Sequence, residues 1–334
     1  FYGGKYTGTE LNNFAVEQVV FKTGVFDAEY GGAMSSMINY ITRDGGDKIE
    51  GNFNVMASNP GRILNPATYF STDDEAVADL GFERDVLRDY REISGGIGGP
   101  VPFTNNKLKF ITTGHNMRTG YRVYEFDDKV YDPDDESTHT LNPLDTLAGW
   151  RAMGFRHSWD VYSKLTWRMN SSMKLSSSFW NVENTFKTAN LANRWAQYYE
   201  EGRNIVTQSS DRQAVMFNHQ LSNSMFYDLK FSRFFQKMFI GVTNNGEEHG
   251  RYLSPNEYKE WETDIDNAET NPFWWEYQVS GHDRYYHTNY AETYEGFLNV
   301  LWQANKHHQI KTGVSYRRHE IMIDEIQLPW LKPP

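Results

Sequence analysis

The chain has 334 residues, enough for one large domain or about two ordinary ones, and its lack of cysteine excludes disulfides and thiolate metal sites. A net charge of −11 argues against a nucleic-acid partner, which needs a basic stripe to meet phosphates. Aromatic residues make up 16% of a chain whose mean hydropathy is negative, which suits a carbohydrate-binding β-protein or a membrane β-barrel with aromatic girdles. No apolar run reaches the roughly 18 residues of a transmembrane helix, a test that barrel strands escape because they show only alternation.

Phe1 is not an initiator and no signal peptide precedes it, so the chain reads as a mature or internal piece of something longer. Val16 to Phe21 reads as a short buried strand, ended by Lys22-Thr23-Gly24. Ala28 to Gly32 predicts a Gly-rich turn and Met34 to Thr42 a second strand. No GxGxxG or GxxxxGK[ST] follows, so these glycines serve backbone geometry rather than phosphate. Beyond Gly46 the pattern becomes period two, with Ile49, Gly51, Phe53, Val55 and Ala57 on one face. Strands follow over Tyr90–Phe103, Leu108–Tyr124, Trp159–Met169, Met173–Phe186, a run ending at Leu221, one beginning at Met225, Tyr294–Gln303, and one beginning at Ile310.

Four short turns near residues 105, 171, 223 and 306 alternate with four long loops, about 59–88, 125–154, 188–205 and 243–287. In an up-and-down meander alternate connections share an edge, so all short turns fall on one edge and all long loops on the other. Outer-membrane barrels are built this way, and a soluble sandwich has no reason to sort its connections. The expected fold is all-β, an antiparallel up-and-down transmembrane barrel supplied here in part, with about nine strands. The apolar faces meet lipid and the Lys, Arg, Asn and Ser faces the lumen.

The stretch Phe21 to Val55 carries a more specific signal: Thr23-Gly24, Ala28-Glu29-Tyr30-Gly31, then Met37 to Arg43, then Gly45-Gly46 before a strand. It resembles the join between plug and first barrel strand of TonB-dependent outer-membrane receptors. Ser94 to Pro100, followed by Lys107-Leu108-Lys109-Phe110, is similar to strands two and three of their Oar-like subgroup, whose members often carry a carboxypeptidase-regulatory-like domain ahead of the plug. The resemblance covers roughly residues 10 to 125 by motif and the remainder by strand rhythm. It implies residues 1–46 as the end of the plug and 47–334 as the first part of a barrel of about 22 strands. It also implies a signal sequence, TonB-contacting box and early plug upstream of Phe1, and further strands beyond Pro334.

Candidate sites divide by chemistry. No catalytic set is found: no GxSxG occurs, and the histidines have no partner placed by spacing, so no enzyme activity is expected. His282, Asp283 and His287 read either as a metal cluster or, preferentially, as solvated loop residues. Asp132, Asp134, Asp135 and Glu136 are dense enough to hold Ca²⁺ but lack the EF-hand pattern; a solvated acidic loop is favoured, and no other cofactor is expected. The long loop with Trp261, Phe273, Trp274, Trp275, Tyr277, Tyr285 and Tyr286 has the flat rings that carry binding energy at the barrel mouth. Alternatively these rings fold the loop onto itself or sit in the outer girdle. Trp195 and Tyr198, within Arg194 to Tyr199, form a weaker patch of the same kind. Arg43, Asp44 and Asp47, at the passage from plug to barrel, are candidates for a plug–wall contact that breaks during transport, or for plain solvation of a linker.

The resemblance implies TonB-energised uptake of a large or scarce ligand, such as a siderophore, glycan or peptide, across the outer membrane of a Gram-negative-type bacterium. Its expected partners are outer-membrane lipid, a TonB-type coupling protein of the inner membrane and a surface-exposed ligand-capturing protein. Two other readings stay open: a surface structural protein binding a partner through its aromatic loops, and a soluble carbohydrate-binding β-protein.

Overall fold

Runs such as Met225, Tyr227, Leu229 and Phe231, interleaved with Asp228, Lys230 and Ser232, form strands because successive side chains leave opposite faces of an extended backbone. The computed structural model describes residues 13–23, 36–58, 90–120, 124–126, 150–152, 155–187, 202–244, 250–260, 262–263 and 278–331. Its strands are β1 (Val16–Thr23), β2 (Ser36–Thr42), β3 (Glu50–Ala57), β4 (Tyr90–Pro100), β5 (Leu108–Gly120), β6 (Tyr124–Phe126), β7 (Trp150–Ala152) and β8 (Phe155–Arg168). They continue as β9 (Met173–Lys187), β10 (Ile205–Ser222), β11 (Met225–Gly241), β12 (Glu262–Thr263), β13 (Gln278–Ser280), β14 (Tyr285–Gln303) and β15 (Gln309–Gln327). No helix among the described residues is long and apolar enough to cross a membrane.

One sheet holds nine strands in the order β15-β14-β11-β10-β9-β8-β5-β4-β3, each antiparallel to its neighbour. Apart from the small hairpins β6–β7 and β12–β13, this is a pure meander, and the sheet is open. β1 and β2 form a separate two-stranded sheet.

Three of the four short turns are set by Asn chemistry, and in the fourth the Ser222 hydroxyl accepts from the Ser224 backbone N–H at 3.3 Å. The Asn170 carboxamide oxygen accepts from the backbone N–H of Ser172 at 2.9 Å and of Met173 at 2.8 Å. Asn305 does the same for His307 and His308. Asn105 and Asn106 take positive φ of 50° and 58°, a conformation Asn tolerates better than most residues.

The two faces differ in chemistry. The outer face exposes Phe53 (75%), Ile97, Leu165, Phe179, Phe231, Val314 and Tyr316 (71%). Trp167 and Trp302 lie toward the short turns, and Tyr294 and Tyr316 toward the other boundary. From Tyr294 to Trp302 the outward positions are Tyr, Gly, Leu, Val and Trp, a stretch matching the roughly 9–11 residues a tilted strand needs to span a bilayer. Past it toward the long loops the outward face mixes charges with aromatic rings: Arg233 bridges Asp211 at 2.8 Å and Glu292 at 2.6 Å, and Phe235 stacks on Tyr290 at 5.9 Å. The opposite, inner face carries Lys109, Thr113, Asp160, Lys164 and Thr166, with a small apolar cluster of Ile111, Tyr162, Trp180 and Val182 closed over by Ala15 and Phe14.

Three sequence expectations are corrected. Val16 to Phe21 forms a strand, but Val19 (51% exposed) and Phe21 (61% exposed) are not buried. The region 125–154 contains the hairpin β6–β7. The region 243–287 is also partly ordered: Thr243 bridges Tyr252, a 3-10 turn spans Pro255–Glu257, β12 pairs with β13, and β14 begins at Tyr285 rather than Tyr294.

Candidate functional site

The segment that leaves β2 and enters β3 does not hang in solvent. Arg43 donates its backbone N–H to the Ala15 carbonyl at 3.0 Å, tying it to the turn Asn13–Ala15 that sits on the inner face. Its guanidinium lies 4.3 Å over the Phe14 ring and 3.6 Å from the Glu50 carboxylate. Phe14 fits against Gly96, where an added Cβ would come within 2.3 Å of the ring.

Asp44 then points into the wall. Its Oδ1 is 2.8 Å from Lys164 Nζ and accepts from Thr166 Oγ1 at 3.0 Å, while Oδ2 is 3.4 Å from Lys174 Nζ. Burial raises the Asp44 carboxyl, but the hydrogen bond and charge of Lys164, with help from Lys174 and Thr166, outweigh it and hold the pKa below the ordinary value. Gly45 is buried between carbonyl oxygens: a Cβ there would stand 2.2 Å from Phe110 O and 2.9 Å from Gly99 O. Asp47 pairs with Lys109, a nearly buried lysine whose hydrogen bond lowers the Asp47 carboxyl. Residues 43–47 are thus fastened to β5, β8 and β9 by backbone seating and three lysines.

Of the candidate residues, Arg43, Asp44 and Asp47 are brought together on the wall, Asp44 half-buried and Asp47 exposed beside Lys109. Tyr285 and Tyr286 are strand residues at the start of β14 rather than loop residues. Tyr286 packs edge-on to Phe239 at 5.3 Å and near Tyr258 at 6.3 Å. Tyr285 stacks on His287 at 5.6 Å and 11°. Trp261, Phe273, Trp274, Trp275, Tyr277, Trp195 and Tyr198 lie outside the described residues, as do Asp132, Asp134, Asp135 and Glu136.

His282, Asp283 and His287 are not a metal cluster, and among the described residues no three His, Asp or Glu side chains are placed to hold an ion. Nor are they plainly solvated. His282 Nδ1 accepts from the Lys259 backbone N–H at 2.8 Å, and burial, with the nearby Lys259 charge, lowers the His282 pKa. Asp283 accepts from the Asn204 backbone N–H at 2.9 Å, and its own N–H donates to Gly202 O at 2.8 Å. His287 is buried, 2.8 Å from the Asn289 side-chain nitrogen. These contacts tie the base of the region after residue 258 to the start of β10.

The functional partners missed from sequence are Lys109, Lys164, Lys174 and Thr166. A signal existed: each occupies an inward position close to a short turn, where a segment arriving at the sheet's first strand must pass.

The fold and site together are an open antiparallel wall with an apolar outer face, a charged inner face and a preceding segment held against that inner face. No family profile and no curated protein sequence matches the chain. Solved structures do. The chain is similar to the outer membrane transporter YddB from Escherichia coli, with a TM-score of 0.57 and 10% identity over 94% of this chain and 36% of that one. It is also similar to the siderophore receptor PiuA from Acinetobacter baumannii (TM-score 0.48, 11% identity, covering 92% of this chain and 36% of that one). The ferripyoverdine receptor of the outer membrane of Pseudomonas aeruginosa gives 0.46 and 9% identity, covering 94% of this chain and 43% of that one. The likeness to YddB is one of fold, an antiparallel barrel wall as expected from the strand rhythm, and the chain spans less than half the length of these solved structures.

Proposed function

We propose that residues 1–46 are the end of a plug and 47–334 the first part of the barrel of a receptor. Lodged in the outer membrane of a Gram-negative-type bacterium, it takes up a large or scarce ligand such as a siderophore, glycan or peptide. The observation that carries this reading is the clamp of Asp44 and Asp47 onto Lys109, Lys164 and Lys174 inside a wall whose outer face is apolar. A wall sealed by such a segment blocks free diffusion. Passage then requires work on the plug, which a TonB-type protein of the inner membrane would supply. The chemistry is transport: binding, occlusion and release of an unchanged ligand. The fold likeness to proteins named as transporters and receptors supports this.

The test is made on native membranes of the source cells and of a strain lacking the coupling protein. The reading expects the protein in the outer membrane, migrating differently on a gel before and after boiling, with ligand accumulation lost when coupling is removed. A water-soluble protein overturns the barrel. An outer-membrane protein whose deletion disturbs surface assembly but not uptake favours the structural alternative.

A further inference from the structure

The inner wall treats its cations in two ways. On β5, β8 and β9 each of Lys109, Lys164 and Lys174 meets a carboxylate of Asp44 or Asp47. On β10, β11 and β15 the cations Arg212, Lys230 and Arg317 share the inner face with two carboxylates: Asp228, which accepts from the Asn299 amide at 3.4 Å, and Glu295, which Arg317 holds through Nε at 3.2 Å and through a second guanidinium nitrogen. Register places the three cations and Glu295 on one patch of the inner face. Ala214 lies opposite Ser232, Ser232 opposite Glu295, and Glu295 opposite Arg317. Arg212 stands two residues to one side of this row and Lys230 two residues to the other, so all share its face. The small Ala214 and Ser232 leave a shallow floor between the two long cationic side chains. Phe234 lies opposite Arg212, and the Phe297 ring is 5.6 Å from the Lys230 ammonium. In a chain of net charge −11 this local surplus runs against the overall balance, and like charges on neighbouring strands repel one another.

We propose that this floor is an anion subsite on the barrel's inner wall, taking a carboxylate or phosphate group carried by the transported ligand. The inference rests on the receptor reading, since only there is this face a passage. A guanidinium offers a planar fork to two oxygens and an ammonium a compact point charge, so Arg212 and Lys230 on opposite sides of a small-residue floor hold one anionic group between them. Arg317, anchored by Glu295, closes the side.

The experiment uses the full-length protein in detergent, titrated by calorimetry with inorganic phosphate and separately with citrate. Wild type binds one of them at a single site, and R212Q/K230Q weakens that binding at least about tenfold, the loss of two charge-assisted contacts. The single K230Q falls between, and K237Q, on the outer face, binds as wild type does. Equal affinity in wild type and K230Q, or no binding of either anion by wild type, overturns the subsite. Gel migration before and after boiling and membrane fractionation are read on the same samples. A protein that is heat-modifiable and in the outer membrane yet binds neither anion refutes the subsite alone, and one absent from the outer membrane refutes the receptor reading and the subsite with it.

Discussion

Lys164 holds Thr42 and Asp44 at once: its ammonium donates to the Thr42 carbonyl at 3.0 Å and lies 2.8 Å from Asp44 Oδ1. One side chain of β8 thereby fixes both the end of β2 and the residue that leaves it. Lys164→Met leaves a half-buried carboxylate and a carbonyl with weakened partners, an expected loss of about 1–3 kcal/mol in the docking of this segment. Hydrogen exchange of residues 36–47 measures it. Asp44→Asn is expected to produce much of the same loss, and the double variant less than the sum, because both remove one contact.

Acid should release the same segment. The folded-state pKa values of Asp44 and Asp47 are depressed, so their contribution is fully present above the ordinary carboxylate pKa of about 3.9 and is lost as pH falls through the lowered values. Exchange protection of residues 43–47 is therefore expected to be flat from neutral pH down to about 5 and to fall only in stronger acid. Protection lost near pH 6 would point to a histidine and against these carboxylates.

Gly45 makes a steric prediction. Gly45→Ala drives a methyl against two backbone carbonyls that cannot turn aside, so the segment must lift and the three ion pairs of Asp44 and Asp47 lengthen. Gly46→Ala, where the nearest atom would be 3.4 Å away, serves as the control. Faster proteolysis between β2 and β3 in the first variant and not the second is the expected result.

Tyr258 seats the region after β11. Its hydroxyl accepts from the buried Val242 N–H at 2.9 Å, and burial pushes the phenol well above its ordinary value. Tyr258→Phe keeps the ring but orphans that N–H, with an expected local loss of about 1–3 kcal/mol. Hydrogen exchange at Val242 reports it directly.

Leu298 points outward between Leu229 and Val314. Leu298→Arg is expected to destabilise the protein by about 2–4 kcal/mol in urea unfolding from liposomes, as for a charge at the bilayer midplane. The same change at Ser315, on the lumen side, is expected to have a far smaller effect.

How much of this was legible depends on the solvent each residue meets. Between Trp159 and Arg168, or Met225 and Ser232, one face is apolar and the other polar, so sequence alternation located the strands, and the Asn-containing turns located their ends. Tyr285 to Thr293 places tyrosine, threonine, histidine, asparagine and glutamate on its two faces without a regular apolar position; alternation fades there, and the start of β14 was missed. Asp44 was singled out from its place in the chain, but its partners Thr166 and Lys174 lie 122 and 130 positions away, and no local pattern names them. Buried burial patterns also misled at Val19 and Phe21, whose apolar character gave a strand without giving it cover.

Asp283 binds Gly202 and Asn204, and thereby joins the foundations of two stretches, 188–201 and 261–277, that are rich in aromatic residues and distant in sequence. Such a shared footing makes the protein modular. Either stretch is expected to accept exchange for another of different length and composition while the footing and the wall stay unaltered.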